Sequence, residues 1–184
     1  MSRCLILAAG EGKRLRPFTN DIPKALVPFL GQPLIFYQLD TLLRTGIENI
    51  AISTGFQAEA FNDIGHDLYF NPDFNKTNMI ESLIAARNYF QDIDEDLIIS
   101  YGDIIYQRNN LEKVLNEKGD IVVMVDDNWL DLWSIRNEDP LLDAETMRFD
   151  RVNGKIIEIG KKPKGLEEIE SQYTGLLKIS KNKL

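Results

Sequence analysis

The sequence predicts an α/β fold: a mostly parallel sheet flanked by helices, followed by a β-rich C-terminal zone. Three observations predict it. Apolar, β-branched runs alternate with amphipathic helical patterns from Arg3 to Val125. The first of these runs empties into a turn carrying Gly10 and Gly12. Beyond Val125 the pattern changes to short alternating segments around an Asn153-Gly154 dipeptide.

Strands are expected over Arg3–Leu7, Ile50–Thr54, Leu68–Phe70, Leu97–Tyr101 and Ile121–Val125. A first long helix has Pro33 near its start, places Ile35, Leu39, Leu42 and Leu43 on one face, and stops at Gly46. A second is expected from Met79 to about Phe90, with Asn78 and Glu81 as a capping pair. In the β-rich zone, Thr146–Asp150 and Lys155–Ile159 read as a hairpin closed by a two-residue turn at Asn153-Gly154. Gln172–Lys178 reads as a further strand. No repeat, low-complexity segment or linker interrupts the 184 residues, so one domain with two zones, 1–127 and 128–184, is expected.

With 29 acidic against 21 basic residues the chain is net negative, which argues against broad electrostatic capture of nucleic acid. The single cysteine, Cys4, lies in the first apolar strand and reads as a small buried hydrophobe. The N-terminus lacks a signal-peptide pattern and no apolar run reaches membrane-spanning length, so a soluble cytoplasmic protein with no membrane partner is expected.

The most informative run is residues 7–28, LAAGEGKRLRPFTNDIPKALVP. A strand that empties into a glycine turn can point backbone N–H groups at phosphate oxygens, and Arg14, Arg16 and Lys24 follow closely enough to neutralise a triphosphate. A dinucleotide fingerprint starts the same way, but Leu15 occupies its third glycine position, and the four-residue spacing of a P-loop is absent. Asp103 follows the strand Leu97–Tyr101, with Gly102 permitting a close backbone approach. A hard carboxylate there suits Mg²⁺; it also suits the cap of a turn. In open α/β sheets ligands sit beyond the carboxyl ends of the strands, so the glycine turn, Asp103 and Asp126-Asp127 are expected on one rim. Turn formation is the better explanation of the last two.

Gly10-x-Gly12-x-Arg14-Leu15-x-Pro17-x-Thr19 followed by Pro23-Lys24-x-Leu26 resembles the signature of the sugar-phosphate nucleotidyltransferase family. Further matches are Thr77-Asn78-Met79, Tyr101-Gly102-Asp103, Lys162-Pro163 and Tyr173-x-Gly175, so the resemblance spans nearly the whole chain. It implies a Rossmann-like fold of the nucleotide-diphospho-sugar transferase type, with zone 1–127 binding nucleotide and zone 128–184 binding the acceptor. It also implies Mg²⁺-dependent transfer of a nucleoside monophosphate with release of pyrophosphate.

By this resemblance Arg14, Lys24 and Asp103 are the catalytic set, with Asp103 as metal ligand, Arg14 on the leaving part of the triphosphate and Lys24 between the α-phosphate and the acceptor. Leu7, Ala8, Ala9, Gly10, Gly12, Lys13, Arg14, Thr77, Asn78 and Gly102 form the nucleotide set. Taken alone, Lys13 and Arg16 read as solvated charges, and Thr77 and Asn78 as helix caps. Lys24, Trp129, Trp133, Arg136, Lys161, Lys162 and Tyr173 form the acceptor set. Two tryptophans at helical spacing can be core packing, or, if exposed, a stacking platform for a quaternary ammonium. Arg136 suits a carboxylate-bearing or phosphonate acceptor.

Two departures from the family pattern bear on function. Sugar-using members carry Glu-Lys-Pro late in the chain, whereas this chain reads Lys161-Lys162-Pro163, which disfavours a neutral hexose ring and favours an acceptor with extra negative charge. The combination resembles cytidylyltransferases of the phosphocholine, phosphonate and phospho-metabolite type, so CTP is the expected donor. Relatives also place a second metal-binding Asp well after the strand equivalent to Gln172–Lys178, and no residue before Leu184 can inherit that role. A substitute such as Glu158, a shortened chain, or a nucleotide-binding regulatory module without turnover remain open. So does a hexose-1-phosphate thymidylyl- or uridylyltransferase. His66, the only histidine, reads as structural rather than as a general base.

Overall fold

A computed structural model of the chain describes residues 2–184. The strands are β1 (Ser2–Leu7), β2 (Pro28–Phe29), β3 (Gln32–Pro33), β4 (Ile50–Thr54), β5 (Asp67–Phe70), β6 (Asp96–Tyr101), β7 (Ile121–Asp126), β8 (Met147–Phe149), β9 (Ile156–Ile159) and β10 (Gln172–Ile179). The helices are α1 (Leu34–Arg44), α2 (Met79–Ala85), α3 (Arg87–Phe90), α4 (Arg108–Asn116) and α5 (Trp129–Arg136). A six-stranded sheet has the order β5-β4-β1-β6-β10-β7. The run β5-β4-β1-β6 is parallel throughout, and β10 joins β6 antiparallel, with Leu177 opposite Ile99. This is the mostly parallel, helix-flanked sheet that the alternation predicts.

The chain forms two compact units. The first runs up to Val122 and takes in Gly175–Leu184; the second is Val123–Thr174. In the first, the central strand β1 is buried on both faces, as Cys4, Leu5 and Ile6 have no exposed surface. Side chains alternate across the sheet, so Leu5, Leu97 and Ile99 share one face, where Ala51, Ala86 and Tyr89 complete a cluster. Ser100 points to the opposite face and meets Gln38 of α1, whose Ile35, Leu39 and Leu42 are buried there. Helix α1 ends as expected at Gly46: the Gly46 and Ile47 amides donate to Leu43 O and Leu42 O.

Two local expectations are corrected. The helix expected from Met79 to Phe90 is two helices, interrupted at Ala86, which has φ −94° and ψ 14°. The interruption re-aims Tyr89 into the sheet, where its hydroxyl lies 2.7 Å from Asn49 O and 3.2 Å from Cys4 O. The hairpin β8–β9 forms, but Asn153-Gly154 is not its two-residue turn. Asp150 N donates to Lys155 O, closing a longer loop, and only Gly154 of the dipeptide has positive φ. The cause is the Asp150 carboxylate, which accepts from Val152 N at 2.8 Å and Asn153 Nδ2 at 2.5 Å and so starts the turn earlier.

Cys4 is buried, and burial pushes its thiol up, as its reading as a core residue requires. Among the described residues no helix is long and apolar enough to cross a membrane.

Candidate active site

The carboxyl ends of β1, β4 and β6 are brought close by backbone hydrogen bonds. Ala8 N donates to Ser53 O, and Gly102 N donates to Leu7 O, both at 2.8 Å. Gly102 is required for the second approach, because a Cβ there would lie 2.9 Å from Ala8 Cβ and 3.0 Å from Leu7 O. Ala8 and Ala9 are buried, whereas Gly10 is exposed. The turn therefore leaves the sheet at Gly10 and opens to solvent.

The segment after this turn folds back on itself. Gly12 adopts φ 64°, starts a short 3-10 turn over Lys13–Leu15, and accepts a hydrogen bond from the buried Thr19 hydroxyl at 2.9 Å. A Cβ on Gly12 would meet Lys24 Cβ at 2.9 Å, so the loop is packed tightly against Lys24. Lys24 opens a second 3-10 turn, Lys24–Leu26, and reaches Asp103: its Nζ lies 2.5 Å from Asp103 Oδ2. Arg14 is exposed on the first turn. Glu11 pairs with the exposed Lys13 and Arg16, each at 3.2 Å, in a solvent-screened surface cluster.

Thr77 and Asn78 precede α2. The Asn78 side chain accepts from Ile80 N at 2.9 Å, and the Thr77 hydroxyl donates to Asp73 O at 2.8 Å. The buried Asn71 carboxamide ties this loop down, donating to Thr77 Oγ1 and to Ser82 Oγ. The Tyr101 hydroxyl meets the sulfur of Met79, which joins the 77–79 segment to the turn that holds Asp103. Four segments that are distant in sequence, around residues 8–14, 24, 77–79 and 101–103, thus meet at one end of the sheet.

Apart from Lys24, the candidate acceptor residues lie within the second unit. Trp129 is corrected: it is 4% exposed in a cluster with Ala144 and Ile169, so its ring is core and not a ligand platform. Trp133 is half-buried against it edge-on, with ring centroids 6.1 Å apart. Arg136 lies over the Trp133 ring at 5.1 Å and pairs with Asp143 at 3.7 Å. Lys161 Nζ lies 2.6 Å from Glu158 Oε2, and this bond holds the Glu158 carboxyl below its ordinary range. Lys162 donates to the carbonyls of Leu141 and Leu142. Tyr173 is half-buried near the start of β10. Asp126 accepts from Asn128 N and Asp127 from the Ser171 hydroxyl, so the turn-forming reading of Asp126 describes what it does.

Among the described residues no cluster of three metal-type side chains forms. Mg²⁺ usually needs only one or two carboxylates, because substrate phosphates and waters complete its shell. An exposed carboxylate at the end of β6, beside a phosphate-type turn, fits that donor set, and Asp103 supplies it.

Sequence reasoning did not identify Gln38 or Asn71. Gln38 had a signal, because it stands on the same helical face as Ile35, Leu39 and Leu42, where an amide needs a partner.

Comparison with known proteins agrees with this picture. The nucleotidyl transferase family model matches residues 3–130. A CTP:phosphoglutamine cytidylyltransferase of Campylobacter jejuni is 40% identical over 96% of this chain and 72% of that protein. A choline-phosphate cytidylyltransferase of Streptococcus pneumoniae is 39% identical over 52% of this chain and 45% of that protein. An inositol-1-phosphate CTP transferase from T. maritima has the same fold, with a TM-score of 0.74 over 99% of this chain and 71% of that one, at 23% identity. With its glycine turn, its basic loop and its mostly parallel sheet, the chain belongs to the nucleotidyl transferase family.

Proposed function

We propose that the chain transfers CMP from CTP, with Mg²⁺, to a small metabolite that carries a phosphate or phosphonate, and releases pyrophosphate. The observation that carries this reading is the Lys24–Asp103 pair at the lip of the glycine turn. The relative at 40% identity, named for CTP and phosphoglutamine, supports the choice of donor and acceptor class.

In the reaction an acceptor oxygen forms a bond to the α-phosphorus while the bond from that phosphorus to the bridging oxygen breaks, and the electron pair leaves with pyrophosphate. The protein forms no covalent bond, so its work is positioning and neutralisation. Backbone N–H groups of the Ala9–Gly12 turn face the triphosphate, and Arg14 holds its leaving end. Lys24 exchanges Asp103 for the α-phosphate and the incoming acceptor, which frees the carboxylate. Asp103 would hold Mg²⁺, which would supply Lewis-acid neutralisation of the phosphate oxygens. Thr77 and Asn78 contact base or ribose while capping α2.

On the acceptor side, the cation position over the Trp133 ring is taken by Arg136. A quaternary ammonium gains little from a ring already covered by a guanidinium, whereas a carboxylate or carboxamide gains a donor. Lys161 and Arg136 therefore suit an acceptor with further acidic or amide oxygens. CTP and phosphorylated metabolites are cytoplasmic substrates, which is where we place the reaction.

The test is pyrophosphate release with each nucleoside triphosphate, Mg²⁺ and a panel of phospho-amino acids, phosphonates, phosphocholine and hexose 1-phosphates. CTP with an acidic or amide-bearing acceptor gives the strongest signal. Equal or faster turnover of dTTP with glucose 1-phosphate refutes the assignment.

A further inference from the structure

Gln38 is 1% exposed in the middle of α1, and its carboxamide is used at every atom that matters. Its Nε2 donates to Tyr101 O at 2.9 Å and to Ile104 O at 2.8 Å. Its Oε1 accepts from the Ser100 hydroxyl at 2.8 Å. Tyr101 and Ile104 are the first and last residues of a turn, since Ile104 N approaches Tyr101 O at 3.4 Å, and the two residues inside that turn are Gly102 and Asp103. One buried amide therefore clasps both ends of the turn that presents Asp103.

The turn's own closing hydrogen bond, at 3.4 Å, is long, so the turn alone holds its shape weakly. On the sheet side, Gly102 N is anchored to Leu7 O. On the helix side the Gln38 amide supplies the anchor, and α1 holds that amide in place through Ile35, Leu39 and Leu42, which are buried. The Asp103 side chain itself is exposed and is held by the flexible Lys24 side chain. When Lys24 turns to a phosphate, the backbone is what remains to aim the carboxylate.

We infer that Gln38 is a positioning residue for the metal carboxylate: by bridging Tyr101 O and Ile104 O it holds Asp103 in the orientation that receives the divalent cation of the nucleotide complex. The inference rests on the reading of Asp103 as the metal ligand. Gln38 touches neither substrate nor metal. Its effect is that of the outer partners that orient a ligand in other metal sites, whose loss weakens metal affinity about tenfold or more.

The experiment uses Mn²⁺ as probe, its binding followed by electron paramagnetic resonance in the presence of CTP, on the whole chain. CTP affinity is measured separately in EDTA, and folding by thermal melting. Gln38→Met keeps length and packing but removes both donors and the acceptor. The expected result is a Mn²⁺ affinity about tenfold weaker, with CTP affinity in EDTA unchanged. A merely structural role would lower both together. Asp103→Ala is the control for the underlying reading: if it leaves Mn²⁺ binding intact, the metal assignment fails. If Asp103→Ala abolishes binding and a folded Gln38→Met does not weaken it, the role of Gln38 fails. Should Gln38→Met not fold, Ser100→Ala, which releases Oε1 and leaves both Nε2 bonds in place, takes its place. It is expected to give a smaller loss in the same direction, and an unchanged Mn²⁺ affinity overturns the inference.

Discussion

Lys24 Nζ and Asp103 Oδ2 lie 2.5 Å apart, although 79 residues separate them in the chain. The two charges that the proposed reaction needs, a cation for the α-phosphate and an anion for the metal, neutralise each other while no substrate is bound. Their side chains are 34% and 36% exposed, so the pair is screened by solvent and adds no more than about 1 kcal/mol to stability.

Replacing either partner should therefore separate activity from folding. Lys24→Met and Asp103→Ala are each expected to lower pyrophosphate release by roughly a hundredfold or more, on the scale of lost electrostatic stabilisation at a transition state. Thermal melting should move by only a few degrees. A large drop in melting temperature with activity retained per folded molecule would refute this.

Gly102 carries a prediction of the opposite kind, in which backbone rather than charge is disturbed. A Cβ at this position would press on Ala8 Cβ at 2.9 Å and on Leu7 O at 3.0 Å, so β1 and β6 must part. Gly102→Ala is expected to cost about 1–3 kcal/mol, the usual range for overpacking. Activity should fall with it, and chemical denaturation beside a turnover assay measures both.

Lys178 is a stability site remote from the candidate chemistry. It is 5% exposed on β10 and donates to Leu115 O at 2.9 Å and Glu117 O at 2.6 Å, around the last residues of α4. A cation there also complements the helix dipole. Lys178→Met keeps the length but leaves two carbonyls unpaired, for an expected loss of about 2 kcal/mol. Denaturant midpoints should report the loss, while the Michaelis constant for CTP stays unchanged.

His66 predicts a pH effect. Burial lowers its pKa below the ordinary value, and neighbouring Asp67 offsets part of that shift. The unfolded chain then binds the proton more readily than the folded one, so stability is full above about pH 6.5 and declines as the pH falls below it. His66→Gln should flatten this part of the stability profile. A wild-type profile that is level from neutrality down to the carboxylate range would contradict the prediction.

The strands of the parallel sheet are legible in the sequence because each is a local matter: apolar β-branched runs such as Cys4–Leu7 or Leu97–Ile99 can be satisfied only by burial on both faces. Local chemistry misled at two places. The pattern from Met79 to Phe90 is helical throughout, yet the chain breaks at Ala86 because Tyr89 finds partners on the sheet. Asn153-Gly154 has the form of a tight turn, yet Asp150 captures the loop first.

By itself the sequence determined the glycine turn, the cations behind it, the carboxylate at the end of β6 and the run that identifies the family, since these are properties of adjacent residues. Only the tertiary structure decided that Lys24 and Asp103 share one point in space, that Trp129 is core, and that Arg136 covers the Trp133 ring. It likewise revealed that one glutamine on α1 clasps the Asp103 turn. The physical reason is that hydrogen bonds and burial between residues far apart in the chain depend on how sheet and helices pack, and residue spacing carries no record of that packing.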